Sequence, residues 1–138
     1  MNDYERKVRE FHVATGAAVD KGFDAGLLEL RKTLIAEEVK ELFAEIDRAV
    51  ADLKAGREVA TETRLNLMKE IADVQYVLSG SSVTFGLPAD EVFARVHDSN
   101  MSKLGPDGKP LVRADGKILK GPNYHPPKLD DLLLEKAA

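Results

Sequence analysis

The chain contains no cysteine, which excludes disulfides and zinc–thiolate centres. No stretch approaches the roughly 18 continuous apolar residues of a transmembrane helix, so no membrane span is expected. Met1-Asn2-Asp3-Tyr4-Glu5 lacks the basic and apolar regions of a secretory leader, and a cytoplasmic protein is the expectation. An excess of basic charge is also missing. The net charge is -4 with a pI near 5.4, which argues against a broad surface for a nucleic-acid polymer. The serines have no evident paired base, no Glu-x-x-His occurs, and His12, His97 and His125 are too scattered for a metal triad. There is no solenoid-type repeat and no low-complexity segment. What remains is an ordinary globular composition, 43% apolar and 32% charged, over 138 residues, the size of one domain with a real core.

Periodicity divides that domain, residues 1–138, into a helical part over about 3–103 and a basic loop tail over 104–138. Asp3 is expected to cap a first helix ending near Thr15, with Tyr4, Val8, Phe11, Val13 and Ala14 as its apolar face. Asp24-Ala25-Gly26 introduces a long helix from about Leu27 to Ala55, stopped by Gly56. Its apolar seam is Ile35, Val39, Leu42, Ile46, Val50 and Leu53, the spacing of a packing seam in a bundle. A third helix starts at Thr61 and runs to about Phe85, ended by Gly86-Leu87-Pro88. The small residues Ser79-Gly80-Ser81-Ser82 at its centre favour a close approach between helices. A fourth covers Ala89 to about Ser99, with Val92, Phe93 and Val96 on its apolar face. Two Asp-Gly turns around Leu111-Val112-Arg113 then predict a small hairpin or ordered loop. A last short helix is expected from Asp130 to Glu135. The fold class is all-α, a bundle of four to five helices.

Charge breaks this pattern in one place. Projected at ~100° per residue, the line Leu27, Leu30, Leu34 continues through Glu38, Glu41 and Glu45, with Glu37 beside it. On the third helix Glu70 falls inside the apolar arc of Leu67, Val74, Val77, Leu78 and Phe85, and Asp73 sits at its edge. A buried unpaired carboxylate costs about several kcal/mol, or takes up a proton instead. Lys40 projects away from the acidic line and offers no compensation. Oxygen ligands without cysteine or an adjacent histidine select a hard cation, Mg²⁺ first and Mn²⁺ next. The plainer reading of Glu37-Glu38-x-x-Glu41 is a solvated acidic face; a second acidic pair, Glu70-x-x-Asp73, on another amphipathic helix weighs against it. The tail carries the opposite charge, with Lys103, Lys109, Arg113, Lys117, Lys120 and Lys128. They read either as a solvated loop or as reaching an anionic ligand, with His97, Asn100 and Tyr124 as possible hydrogen-bonding partners.

Glu37-Glu38-x-x-Glu41, followed after 28 residues by Glu70-x-x-Asp73, resembles the signature of the all-α nucleoside-triphosphate pyrophosphohydrolases. That superfamily includes MazG-type enzymes, dimeric dUTPases and phosphoribosyl-ATP pyrophosphohydrolase. His97-Asp98-Ser99-Asn100-Met101-Ser102-Lys103, Asp115-Gly116-Lys117 and Lys120-Gly121-Pro122-Asn123-Tyr124 resemble the tail of such proteins. The resemblance spans about residues 25–128. It implies a bundle completed by dimerisation and a reaction in which Mg²⁺ holds a triphosphate while water attacks the α-phosphorus and pyrophosphate leaves. It implies Glu38, Glu41, Glu70 and Asp73 as metal ligands. Glu37 would be a further ligand or orient water, and either Glu37 or Glu38 would take the proton. Asn100 and Lys103, and less directly Lys117, Lys120 and Tyr124, would meet the nucleotide. The first substrate choice is dUTP, in the housecleaning of non-standard nucleotides, with a phosphoribosyl-ATP pyrophosphohydrolase-like activity as the alternative. Two other classes compete: a di-iron or di-manganese carboxylate bundle, which the missing Glu-x-x-His disfavours, and a non-catalytic helical interaction protein.

Overall fold

A computed structural model describes residues 1–137, with side chains through Leu133. The chain forms two compact units, Met1–Leu87 and Pro88–Ala138. The division falls inside the stretch that the sequence reads as one helical core, so the fourth helix groups with the tail. The reason is local: Gly86 takes a left-handed conformation (φ 59°), and Pro88, which has no N–H to continue a helix, follows it.

The first unit holds α1 (Asp3–Thr15), α2 (Ala25–Lys54) and α3 (Thr61–Phe85), with α3 packed against both others. Asn2, not Asp3, caps α1: its side-chain oxygen accepts from the Glu5 amide at 2.9 Å, and Asp3 is the first helical residue. Asp24 caps α2 by accepting from the Leu27 amide at 2.9 Å. Asp52 closes the α2–α3 turn, accepting from Arg57 Nη2 at 2.9 Å and from the Ala60 amide at 3.1 Å. These contacts hold its carboxyl below the usual carboxylate range, the Ala60 amide first and Arg57 second. The segment between α1 and α2 doubles back onto the end of α3, where the amides of Asp20 and Lys21 donate to the carbonyls of Val83 and Thr84. Those carbonyls belong to the last turn, which has no partners within the helix.

Burial corrects two sequence expectations. On α1 the inward residues are Glu5, Val8 and His12, while Tyr4, Phe11 and Val13 are exposed. His12 Nδ1 lies 2.9 Å from the Ala18 carbonyl, a structural role. On α2, Ile35, Val39 and Leu42 are half-buried, but Ile46, Val50 and Leu53 are exposed at 39%, 41% and 61%. The buried residues of that helix are Arg31 and Glu45. Three helices cannot surround a seam of that length, so its second half is only partly covered within the unit.

The second unit contains α4 (Ala89–Met101), the hairpin β1 (Leu111–Val112) and β2 (Ile118–Leu119), and α5 (Asp130–Ala137). The strands are antiparallel, Leu111 opposite Leu119 and Val112 opposite Ile118, around a turn with Gly116 at φ 90°. Arg95 ties α5 to α4, donating to both oxygens of Asp131 at 2.6 and 3.0 Å and to the Lys128 carbonyl at 3.0 Å. Ser99 Oγ donates to the His125 carbonyl at 2.8 Å. The small sheet leaves the architecture all-α.

Candidate metal centre

The acidic residues of α2 and α3 meet inside the first unit. One carboxylate oxygen from each of Glu38, Glu41 and Glu70 lies within 4.8 Å of the other two. Glu38 and Glu41 share a face of α2 because they are three residues apart, just under one turn. Glu70 is buried on α3, Glu38 is half-buried and Glu41 is exposed, so the cluster opens to solvent on one side. Oε2 of Glu38 and Oε2 of Glu70 are each buried and accept no hydrogen bond. A desolvated acceptor without a donor is destabilising by about 1–3 kcal/mol, more when charged.

The electrostatics follow. Burial raises the Glu38 carboxyl above the usual carboxylate range, and the charges of Glu41, Asp73 and Glu70 push it further the same way. Lys69 offsets only part of this. Three crowded carboxylates, two of them carrying a buried oxygen without a hydrogen-bond donor, fit a divalent cation. An octahedral Mg²⁺ at about 2.1 Å spaces its donor oxygens about 3 to 4 Å apart, somewhat closer than the 4.8 Å within which these oxygens lie. With no sulfur or imidazole donor among them, the three oxygens favour a hard ion.

The remaining expected site residues are placed as follows. Asp73 lies near enough to raise Glu38, but its own carboxylate accepts from Lys69 Nζ at 2.7 Å. Lys69 also stands 3.6 Å from Glu70. A basic partner is therefore present on α3, although Lys40 on α2 offers none. Lys69 is four residues before Asp73, and ordinary i,i+4 helix pairing would have revealed it. Glu37 lies outside the cluster. It is exposed and lines a shallow groove on another face of α2 with Lys32 and Lys40. Glu45, at the end of the acidic line, is buried with Oε2 unpaired and its other oxygen on Arg48.

Within the second unit, Lys120 and Tyr124 meet through their side chains, and the backbone of Lys103 lies beside Gly121. The Gly121 amide donates to the Lys103 carbonyl at 2.8 Å, and Lys120 Nζ sits 4.7 Å from the centre of the Tyr124 ring. A Cβ on residue 121 would stand 2.6 Å from the Lys103 oxygen, so glycine is required there. Asn100 is exposed on α4, and Lys117 lies at the far end of the hairpin, its amide donating to Asp115.

Residues 8–100 match the phosphoribosyl-ATP pyrophosphohydrolase family, a span that contains both acidic pairs. The chain belongs to that family. This pyrophosphohydrolase is thereby one of the all-α NTP pyrophosphohydrolases. A crystal structure from Exiguobacterium sp. 255-15, of a protein named as a candidate NTP pyrophosphohydrolase, is similar to it with a TM-score of 0.53. The identity is 24%, over 99% of this chain and 96% of that one, and the likeness bears on the fold. No curated protein sequence matches the chain. Among the described residues, no helix of the pyrophosphohydrolase is long and apolar enough to cross a membrane.

Proposed function

We propose that this pyrophosphohydrolase is Mg²⁺-dependent, with Mn²⁺ as a substitute, and cleaves the α–β bond of a nucleoside triphosphate to give monophosphate and pyrophosphate. The observation that carries this is the convergence of Glu38, Glu41 and Glu70 with two buried, unpaired oxygens. Those three residues would hold the cation, with Asp73 as a further candidate ligand beside them. Bound there, Mg²⁺ would supply neutralisation of the triphosphate and a lower pKa for water. The water oxygen joins the α-phosphorus, the bond to the bridging oxygen breaks, and pyrophosphate departs. Hydrolysis of a phosphoanhydride needs positioning and charge neutralisation rather than a protein nucleophile. Glu38, at the centre of the cluster, would take the water's proton on the oxygen it does not use for the cation. Glu37, exposed on another face, is left without that role.

The proposed substrate is dUTP, in a housecleaning role in the cytoplasm, with Asn100, Lys103, Lys117, Lys120 and Tyr124 as candidates to meet the nucleotide. The family match favours a second reading, phosphoribosyl-ATP as the substrate of the same bond cleavage. The two are separated by incubating the protein with Mg²⁺ and dUTP, phosphoribosyl-ATP and the common triphosphates side by side, with chromatography of the products. Monophosphate plus pyrophosphate from dUTP at the highest kcat/KM supports the first reading. Preference for phosphoribosyl-ATP supports the second, and diphosphate plus phosphate, or no turnover, refutes both.

A homodimer completes the proposal. In the first unit only Val8, Val83 and Phe85 are buried apolar residues among the described ones, while Ile46, Val50 and Leu53 stay exposed along one ridge of α2. A second copy covering that ridge would supply the missing core.

A further inference from the structure

Arg31 is 8% exposed on α2, and no carboxylate among the described residues pairs with it. Burial without a counter-charge pulls its pKa below the ordinary arginine value. Its guanidinium is laid instead on the backbone of α3. Nη2 donates to the Val77 carbonyl at 2.8 Å, and Nε donates to Ser81 Oγ at 3.3 Å. Ser81 Oγ itself donates to that carbonyl at 3.2 Å. The approach depends on Gly80: a Cβ there would stand 3.0 Å from Arg31 Cζ and closer still to Nη2.

This contact and the metal centre share one register. Two turns along α2 from Arg31 lies Glu38, and two turns back along α3 from Val77 lies Glu70. The helices run antiparallel, so the sliding position that seats Arg31 on Val77 also sets Glu38 beside Glu70. A one-residue slide displaces them by about 1.5 Å, and a one-turn slide by about 5.4 Å. Repulsion among the three glutamates favours separation when no cation is bound. The intervening residues Leu34, Ile35 and Val74 are half-buried and give non-directional contact, which holds helices together without fixing how far they slide. A charged donor on a particular carbonyl is directional.

We propose that Arg31, seated in the notch that Gly80 leaves in α3, is a positioning residue that fixes the α2–α3 register and so holds Glu38 and Glu70 together at the metal centre. This rests on the reading that those carboxylates bind a divalent cation, and the test separates the two claims. Because the chain has no cysteine, Lys32→Cys and Glu62→Cys accept nitroxide labels at those two positions alone. Both positions are exposed and report the slide of α2 along α3 by pulsed EPR in metal-free protein. Mn²⁺ affinity of the unlabelled protein is measured in parallel, at a temperature where circular dichroism shows every variant folded.

Gly80→Ala and Arg31→Met are expected to shift or broaden the label distance and to weaken Mn²⁺ binding about tenfold. Arg31→Lys, which still presents a cationic donor, should recover part of both. Val8→Ala, a core change on α1, should lower the melting temperature and leave both readouts alone. An unchanged label distance in Gly80→Ala and Arg31→Met overturns the register role. A shifted distance with wild-type Mn²⁺ affinity overturns the link to the metal centre. A shifted distance in a protein whose wild type binds no Mn²⁺ upholds the register role and refutes the metal reading instead.

Discussion

Lys69 Nζ lies 2.7 Å from Asp73 Oδ2 on the same helix, so the fourth acid of the motif is neutralised by a protein cation rather than offered freely to a metal. Lys69 is exposed, and a solvent-screened i,i+4 pair of this kind is weak. It competes with a divalent ion without excluding one. Lys69→Gln is therefore expected to tighten Mn²⁺ binding about two- to threefold. Isothermal titration at low ionic strength checks this, and weaker binding in the variant would mean that the lysine assists the site.

Glu70→Gln separates stability from function. The substitution removes one of three crowded charges and a buried oxygen that accepts no hydrogen bond. Metal-free protein should melt about 3 °C higher, as expected for roughly 1 kcal/mol in a chain of this size. Added Mg²⁺ should then no longer raise the melting temperature of the variant, whereas it raises that of the wild type. Differential scanning calorimetry with and without Mg²⁺ reads both effects.

A pH dependence follows from Glu38. Its carboxyl is raised in the fold, by burial first and neighbouring acids second, so the folded state holds this proton more tightly than the unfolded state does. The associated stability is present below the ordinary glutamate pKa and is lost as pH rises through the raised value. Asp52 and Asp131 are shifted down, and their contributions are lost as pH falls. The Glu38 effect is isolated by difference. In metal-free protein, the melting temperature of Glu38→Gln relative to wild type should climb as pH rises from about 4 to 7 and level off beyond. A flat difference would show that this carboxyl is not perturbed.

The exposed ridge of α2 offers a separate test. If Ile46 and Val50 face a second copy, Ile46→Glu should convert a dimer to a monomer in sedimentation velocity and lower the melting temperature. If they face water, the change should be nearly neutral, within about 0.5 kcal/mol.

Helix boundaries were legible because each carries a local cause. Asp24, Gly56 and the Gly86-Leu87-Pro88 break act within a few residues of where they stand, and α2 and α3 begin and end close to where they predict. The convergence of Glu38, Glu41 and Glu70 was legible for a related reason, since acids interrupting an apolar line are visible in one helix at a time. What periodicity could not reveal is what lies opposite. Arg31 is buried because Gly80, on another helix, gives it a notch and a carbonyl. Ile46 and Val50 continue a perfect seam, yet the unit leaves both of them partly exposed. Glu37 differs from Glu38 by one position, and that ~100° rotation takes it to another face of α2. Lys69 is the exception, a local partner that was readable at i,i+4 spacing.

The claim on which the account turns is that Glu38, Glu41 and Glu70 hold a divalent ion, and calorimetric titration of the metal-free protein with Mn²⁺ at neutral pH tests it most directly. The account predicts saturable binding in the wild type that is abolished in Glu70→Ala, together with loss of nucleotide cleavage by more than about a hundredfold in Glu38→Ala at unchanged helical content. Absence of Mn²⁺ binding to the wild type, or binding that survives intact in Glu70→Ala, would contradict it.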